Sequence, residues 1–219
     1  MPVVPRRISA SEFHEAEGVE DWRVLSGGAC TQFRTGSFSK GVELLGAIGA
    51  LAEAANHHPD VDLRYGAVTV RLRTHEVDGL SERDVDLARR ISAVARELGA
   101  PAVPSAVQDV QVSVGVLAPS RVLPFWRAVL GYREAPGEHL VDPGARGPSV
   151  LLQQIEAPRP GGPRVQVEVS MPHDEAEARV AAAIAAGGRL VSEAHAPAWW
   201  TLADPEGAEV GVTTWMGRE

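Results

Sequence analysis

Residues 99–106 read Gly-Ala-Pro-Ala-Val-Pro-Ser-Ala, and this stretch constrains the chain more than any other. Proline fixes φ and removes a backbone donor, so the pair ends the helical pattern before it and separates off the strand pattern after it. The break predicts a first domain over 1–100, a linker over 101–106 and a second domain over 107–219. A chain of 219 residues has room for both, since a compact domain commonly takes about 100 residues.

In the first part the hydrophobic period alternates between helix-like and strand-like. Ser11–Ala16 reads as a short helix, and Trp22–Leu25 and Thr31–Arg34 as strands joined through Gly27-Gly28. Phe38, Val42, Leu45, Ile48 and Ala52 recur at three- and four-residue steps, which predicts a helix from Ser37 to about Asn56 that buries this face and stops at Pro59. Val61, Leu63 and Tyr65 alternate with Asp60, Asp62 and Arg64, and Val68, Val70 and Leu72 with polar residues, giving a hairpin that turns at Gly66. Ser81 is a good N-cap with Asp84 at the third helical position, and Leu87, Ile91, Val94 and Leu98 form the stripe of a second long helix. The expected class is α+β, with helices on one face of an antiparallel sheet.

Past the linker the pattern repeats. Val110–Val114 and Val165–Val169 are alternating strands, each leading into an amphipathic helix closed by a glycine, Gly131 or Gly187. Asp142-Pro143-Gly144 and Asp204-Pro205-Glu206-Gly207 each precede a further strand. A duplicated β-α-β-β-β unit is the expectation.

A formal charge of -8 argues against a general nucleic-acid surface, because phosphates would be repelled. Cys30 is the single cysteine, so no intramolecular disulfide forms. No signal peptide and no membrane-length apolar run are read, so a cytoplasmic protein with no membrane partner is expected.

The chemistry concentrates in Glu53-Ala-Ala-Asn-His57-His58-Pro59, followed by Tyr65, His75 and Asp84. Glu53 and His57 are four residues apart, which on a helix places them on one face and lets the carboxylate orient the imidazole. The proline frees the His58 ring from the helix surface, and the hairpin returns His75 to the same region. Asp84 reads first as an ordinary helix-start residue. Three histidines and a glutamate also make a plausible metal set, which spacing does not exclude.

The order Glu-x-x-x-His-His-Pro, an aromatic, a histidine ten residues later and an aspartate nine further on resembles the pterin-4a-carbinolamine dehydratases. The resemblance runs through about residues 7–98 and includes Trp22, Phe33, Ala50–Pro59 and Thr74-His75. It implies a metal-free acid and base site with His57, His58 and His75 as catalytic residues, Glu53 and Asp84 in support, and Asn56, Pro59 and Tyr65 beside the substrate. The implied reaction is loss of water from a 4a-hydroxytetrahydropterin in tetrahydropterin recycling, with no cofactor and an aromatic amino acid hydroxylase as supplier. It also implies a homodimer or tetramer. Imidazoles suit the task because their unperturbed pKa of about 6.5 allows both donor and acceptor forms near neutrality.

The second domain resembles the glyoxalase-like proteins of the vicinal oxygen chelate superfamily, through Phe125-Trp126-Arg-Ala-Val-Leu-Gly131-Tyr132 and Leu202-Ala-Asp204-Pro-Glu-Gly207-Ala-Glu209. That resemblance implies a divalent metal held on the first and last strands of each half. The matching positions here offer Gln111, Gln166 or Glu168, and Glu209, without a histidine. His139, His173 and His195 are expected in turns or loops, and Trp199 and Trp200 as fillers of the cupped sheet or of an apolar pocket. Two other readings stand beside the dehydratase: a non-catalytic binding or assembly protein, and a metal-dependent enzyme acting through the second domain.

Overall fold

The computed structural model describes residues 5–25, 28–135, 137, 139–145, 147–156, 165–203 and 209–217. The chain divides into two compact units, one running to Val107 and the other Gln108–Gly217.

The first unit runs β1 (Arg7–Ile8), α1 (Ala10–Glu15), β2 (Arg23–Leu25), β3 (Gly28–Arg34), α2 (Phe38–Ala55), β4 (Asp60–Arg64), β5 (Ala67–Leu72), β6 (Leu80–Ser81) and α3 (Glu82–Glu97). Its antiparallel sheet has the order β2-β3-β5-β4, while β1 pairs separately with β6. The cross-strand pairs Phe33↔Val68, Thr31↔Val70 and Ala29↔Leu72 put their side chains on one face, joined by Val61 and Leu63. Helices α2 and α3 pack against each other, and α2 lies on β4 and β5. Trp22 is fully buried, donates its indole N–H to Ser92 of α3 at 3.0 Å and meets Phe33 edge-on. The expected α+β arrangement is what forms.

The buried face of α2 differs from expectation. Gly41, Leu44, Ile48 and Ala52 are buried, whereas Phe38, Val42 and Leu45 point outward. The helix is seated closely on the hairpin: a Cβ on Gly41 would stand 2.4 Å from Leu63 Cδ1, so any larger residue there requires the Leu63 side chain to move. The helix ends where expected, at Asn56, whose left-handed φ of 46° caps it. The segment expected as a linker is built into the first unit, because Arg34 N–H donates to Pro101 O, Val103 N–H donates to Gln32 O, and Phe33 bridges to Ala102.

The second unit runs β7 (Asp109–Val116), α4 (Pro119–Leu130), β8 (Arg133–Ala135), β9 (His139–Val141), β10 (Ser149–Gln154), β11 (Val165–Ser170), α5 (Ala176–Ala185), β12 (Arg189–His195), β13 (Trp199–Ala203) and β14 (Glu209–Thr213). Its sheet has the order β12-β13-β14-β11-β7-β10-β9-β8. β7 and β11 pair antiparallel at the centre, and each has a parallel outer neighbour, β10 or β14. Val114, Leu140, Val150 and Leu152 pack with Val122, Leu123 and Trp126 of α4. Trp200, Leu202 and Val212 pack with Ala176 and Val180 of α5. Alternation along the strands leaves Gln111, Ser113, Glu168 and Thr213 on the opposite face. Asp204–Gly207 lies outside the described residues.

Candidate active site

Because Asp60 pairs with Arg71, the residues just before β4 and just after β5 adjoin at one end of the sheet. The C-terminus of α2 and the N-terminus of α3 arrive at the same end. The cap at Asn56 turns the chain sharply, and the His57 N–H bonds back to Ala52 O at 3.1 Å. His57 therefore leaves the helix surface and is buried, at 6 % exposure, with Nε2 2.8 Å from Asp84 Oδ1.

Asp84 is fully buried and occupied on both oxygens. Its Oδ2 accepts from the Ser81 N–H at 2.7 Å and from Thr74 Oγ1 at 2.6 Å. Ser81 caps α3 in a capping box completed by Asp84, so the expected helix-start role holds and a second role is added to it. Thr74 gives its proton to Asp84, which leaves Ser81 Oγ, 2.7 Å away, to donate to Thr74 while accepting from the Arg83 N–H at 3.2 Å. A carboxylate with three donors around it is an acceptor only, so His57 presents Nε2–H to it and keeps Nδ1 for another partner.

His58 and His75 are exposed. Glu53 reaches His58 rather than His57, with Nε2 and Oε1 3.2 Å apart, because the turn at Asn56 carries His57 away from the helix face that Glu53 occupies. His75 follows β5 by three residues and opens a single 3-10 turn, His75–Val77, held between Thr74 and Gly79 by paired backbone hydrogen bonds. Arg73 pairs with Asp78 across this loop, and Arg83 with Glu76 at 2.9 Å. Glu76 is held below its ordinary carboxylate value, first by its own backbone N–H and then by Arg83. Thr74 precedes His75, so the Asp84 network ties together the two segments that carry the three histidines.

Tyr65 is a correction. It sits in the turn after β4, 77 % exposed, at the opposite end of the hairpin from His58 and His75. Five strand residues at about 3.3 Å each put it about 17 Å away, too far to face the same substrate within one chain. Asn56 is exposed and Pro59 half-buried, both beside the histidines. Sequence reasoning missed Thr74 and Ser81 as members of the network. The pattern Ser81-x-x-Asp84 signalled the cap, but nothing in it signalled His57.

In the second unit Glu168 is 7 % exposed and accepts from Ser113 Oγ at 3.1 Å. Gln111 lies directly across from it on β7. The register partner of Glu168 on β14 is Gly211, and Glu209 stands two residues, about 7 Å, further along. Among the described residues no three His, Cys, Asp or Glu side chains converge as metal ligands. Gln111, Glu168 and Glu209 share one face of the sheet, and the Gln166 side chain lies outside the described residues. His139 opens β9 and His195 closes β12, rather than lying in loops, while His173 accepts from the Trp215 indole at 3.0 Å. Trp200 fills the core against α5, whereas Trp199 lies over Gly211 beside Glu168. Among the described residues no helix is long and apolar enough to cross a membrane.

The family profile described as "Pterin 4 alpha carbinolamine dehydratase" matches residues 6–94, and that described as "Glyoxalase-like domain" matches residues 109–213. A protein of Aquifex aeolicus, provisionally named pterin-4-alpha-carbinolamine dehydratase, is 35% identical over 94 residues, which is 42% of this chain and 95% of the relative. One from Nocardia farcinica with the same provisional name is 38% identical over 80 residues, 36% of this chain and 84% of the relative. The crystal structure described as a transcriptional coactivator/pterin dehydratase from Brucella melitensis is 30% identical, covering 41% of this chain and 99% of that one, with a TM-score of 0.39.

Proposed function

We propose, for a chain that belongs to the pterin-4a-carbinolamine dehydratase family through its first domain and carries a glyoxalase-like second domain, that the first domain dehydrates a 4a-hydroxytetrahydropterin. The supporting observation is the division among the histidines: His57 buried against Asp84, His58 and His75 exposed at the same end of the sheet.

The reaction needs a proton delivered to the C4a hydroxyl, so that it leaves as water, and a proton removed from N5, so that the N5 lone pair forms the new double bond to C4a. His58 and His75 exchange these two protons, one as donor and the other as acceptor. His57, fixed by Asp84, turns Nδ1 toward the pterin and orients it. Glu53 positions His58, and Asn56 and Pro59 shape the adjoining edge. No metal or cofactor enters, and the product is the quinonoid dihydropterin, returned to tetrahydropterin by a reductase-type reaction.

The second domain is read as a duplicated β-α-β-β-β unit, accessory to this chemistry. The working form is a homo-oligomer in the cytoplasm, and an aromatic amino acid hydroxylase generates the substrate. The test couples such a hydroxylase to the full-length chain and follows quinonoid product by ultraviolet absorbance. His58→Ala and His75→Ala should each lower turnover by about 100-fold or more with thermal stability unchanged. Unaccelerated dehydration by the folded wild type, or full activity in both variants, would overturn the reading.

A further inference from the structure

The second unit buries a carboxylate that the chemistry of the first unit does not use. Glu168 is 7 % exposed. Among the described residues its hydrogen-bond donor is Ser113 Oγ, and it makes no ion pair. The side chains that share its face on the adjoining strands, Gln111 and Ser113 on β7 and Thr213 on β14, carry no charge. A carboxylate taken out of water is costly unless a positive charge meets it. Gly211, directly across from Glu168, is built around the same point. Its backbone is not left-handed, so conformation does not demand glycine there. Space does: a Cβ would stand 3.2 Å from Glu168 Cγ and 3.2 Å from Trp199 Nε1. The carboxylate stem and the indole therefore close over one glycine, and Trp199 is only half-buried.

We propose that this face binds a small organic cation, a protonated alkylamine, with Glu168 as its counterion and the Trp199 ring against its methylenes. Ser113 occupies Oε1 and leaves Oε2 to accept from the ligand. An ammonium group has three N–H donors, and the Gln111 amide oxygen and the Thr213 hydroxyl stand on the same face as neutral acceptors for the other two. Tryptophan is the ring that attracts a cation most strongly, and the attraction grows when water is excluded. Glu209 lies on this face about 7 Å further along the sheet, so a second negative charge draws cations toward it.

The site contains none of the histidines, and binding is measured without a pterin, so its fate is separate from that of the dehydratase reading. Calorimetric titration of the full chain with n-butylammonium should show saturable binding of one ion per chain, and n-butanol, which has the same tail without the charge, should show none. Glu168→Gln keeps the shape and the acceptor for Ser113, and it should weaken binding by about tenfold or more. Trp199→Leu should weaken it by about threefold or more. Thermal melting without the amine tells a ligand's counterion from a structural carboxylate. Glu168→Gln should then melt at or above wild type, because it removes a buried charge that lacks a partner. Absence of butylammonium binding, equal binding by Glu168→Gln or by n-butanol, zinc binding through Glu168 that excludes the amine, or a Glu168→Gln variant melting well below wild type would overturn the proposal.

Discussion

Asp84→Asn tests the site at its most connected point. Asparagine keeps the shape: its amide oxygen can take the bonds from Ser81 N–H and Thr74 Oγ1, now at 2.7 and 2.6 Å, and its NH2 comes to face His57 Nε2. That NH2 is a donor, so His57 must move its proton to Nδ1, the atom that the proposed function turns toward the pterin. Three charge-assisted bonds become neutral ones, at about 1 kcal/mol each. Relief of the buried carboxylate's desolvation offsets part of this, leaving a net loss of about 1–2 kcal/mol. For a unit of this size the melting temperature should fall by about 4–16 °C. Turnover should fall by about 10- to 100-fold, the usual effect of losing the group that orients an imidazole. Long-range proton–nitrogen NMR reads the tautomer directly and does not depend on activity: the wild type should show Nε2–H at His57 and the variant Nδ1–H. A wild-type His57 with its proton on Nδ1, or a variant with the wild-type tautomer and turnover, would refute the reasoning.

Two further outcomes are expected. Glu12 is held below its ordinary value of 4.5, first by the Ser9 backbone N–H and then by the Arg6 guanidinium. Its contribution is therefore complete above that value and lost as pH falls through the lowered one, so wild type should out-melt Glu12→Gln at neutral pH and lose the advantage progressively as acid carries the pH down through the lowered value. Tyr65→Ala, altering a residue at the far end of the hairpin, should leave KM and kcat in the coupled assay within about twofold of wild type.

The α3 start was legible in the sequence because a capping box is local: Ser81 and Asp84 are three residues apart and declare each other. The hairpin was legible because alternation fixes which face is buried. The burial of α2 was not. Its hydrophobic pattern serves two faces, and the inward one is led by Gly41, whose value is its lack of a side chain. A periodicity weighted by apolar bulk selects the outward face instead. The partner of His57 was hidden for another reason. It lies 27 residues along the chain, and the left-handed turn at Asn56 replaces the helical spacing that pointed to Glu53. Tyr65 carried the right motif spacing, but strand length sets where it stands.

Asp84 caps α3 with Oδ2 and holds His57 with Oδ1, and on the proposed reading this pairing of folding with chemistry fixes the order in which the site could decay. A lineage released from the reaction would still need the cap on α3 and the burial of Thr74 and Ser81, so purifying selection on the fold would keep Asp84 in place. The exposed imidazoles of His58 and His75 have no such second tenure and would drift first. In this chain both are present, so the positions most free to vanish are the ones that carry information about use.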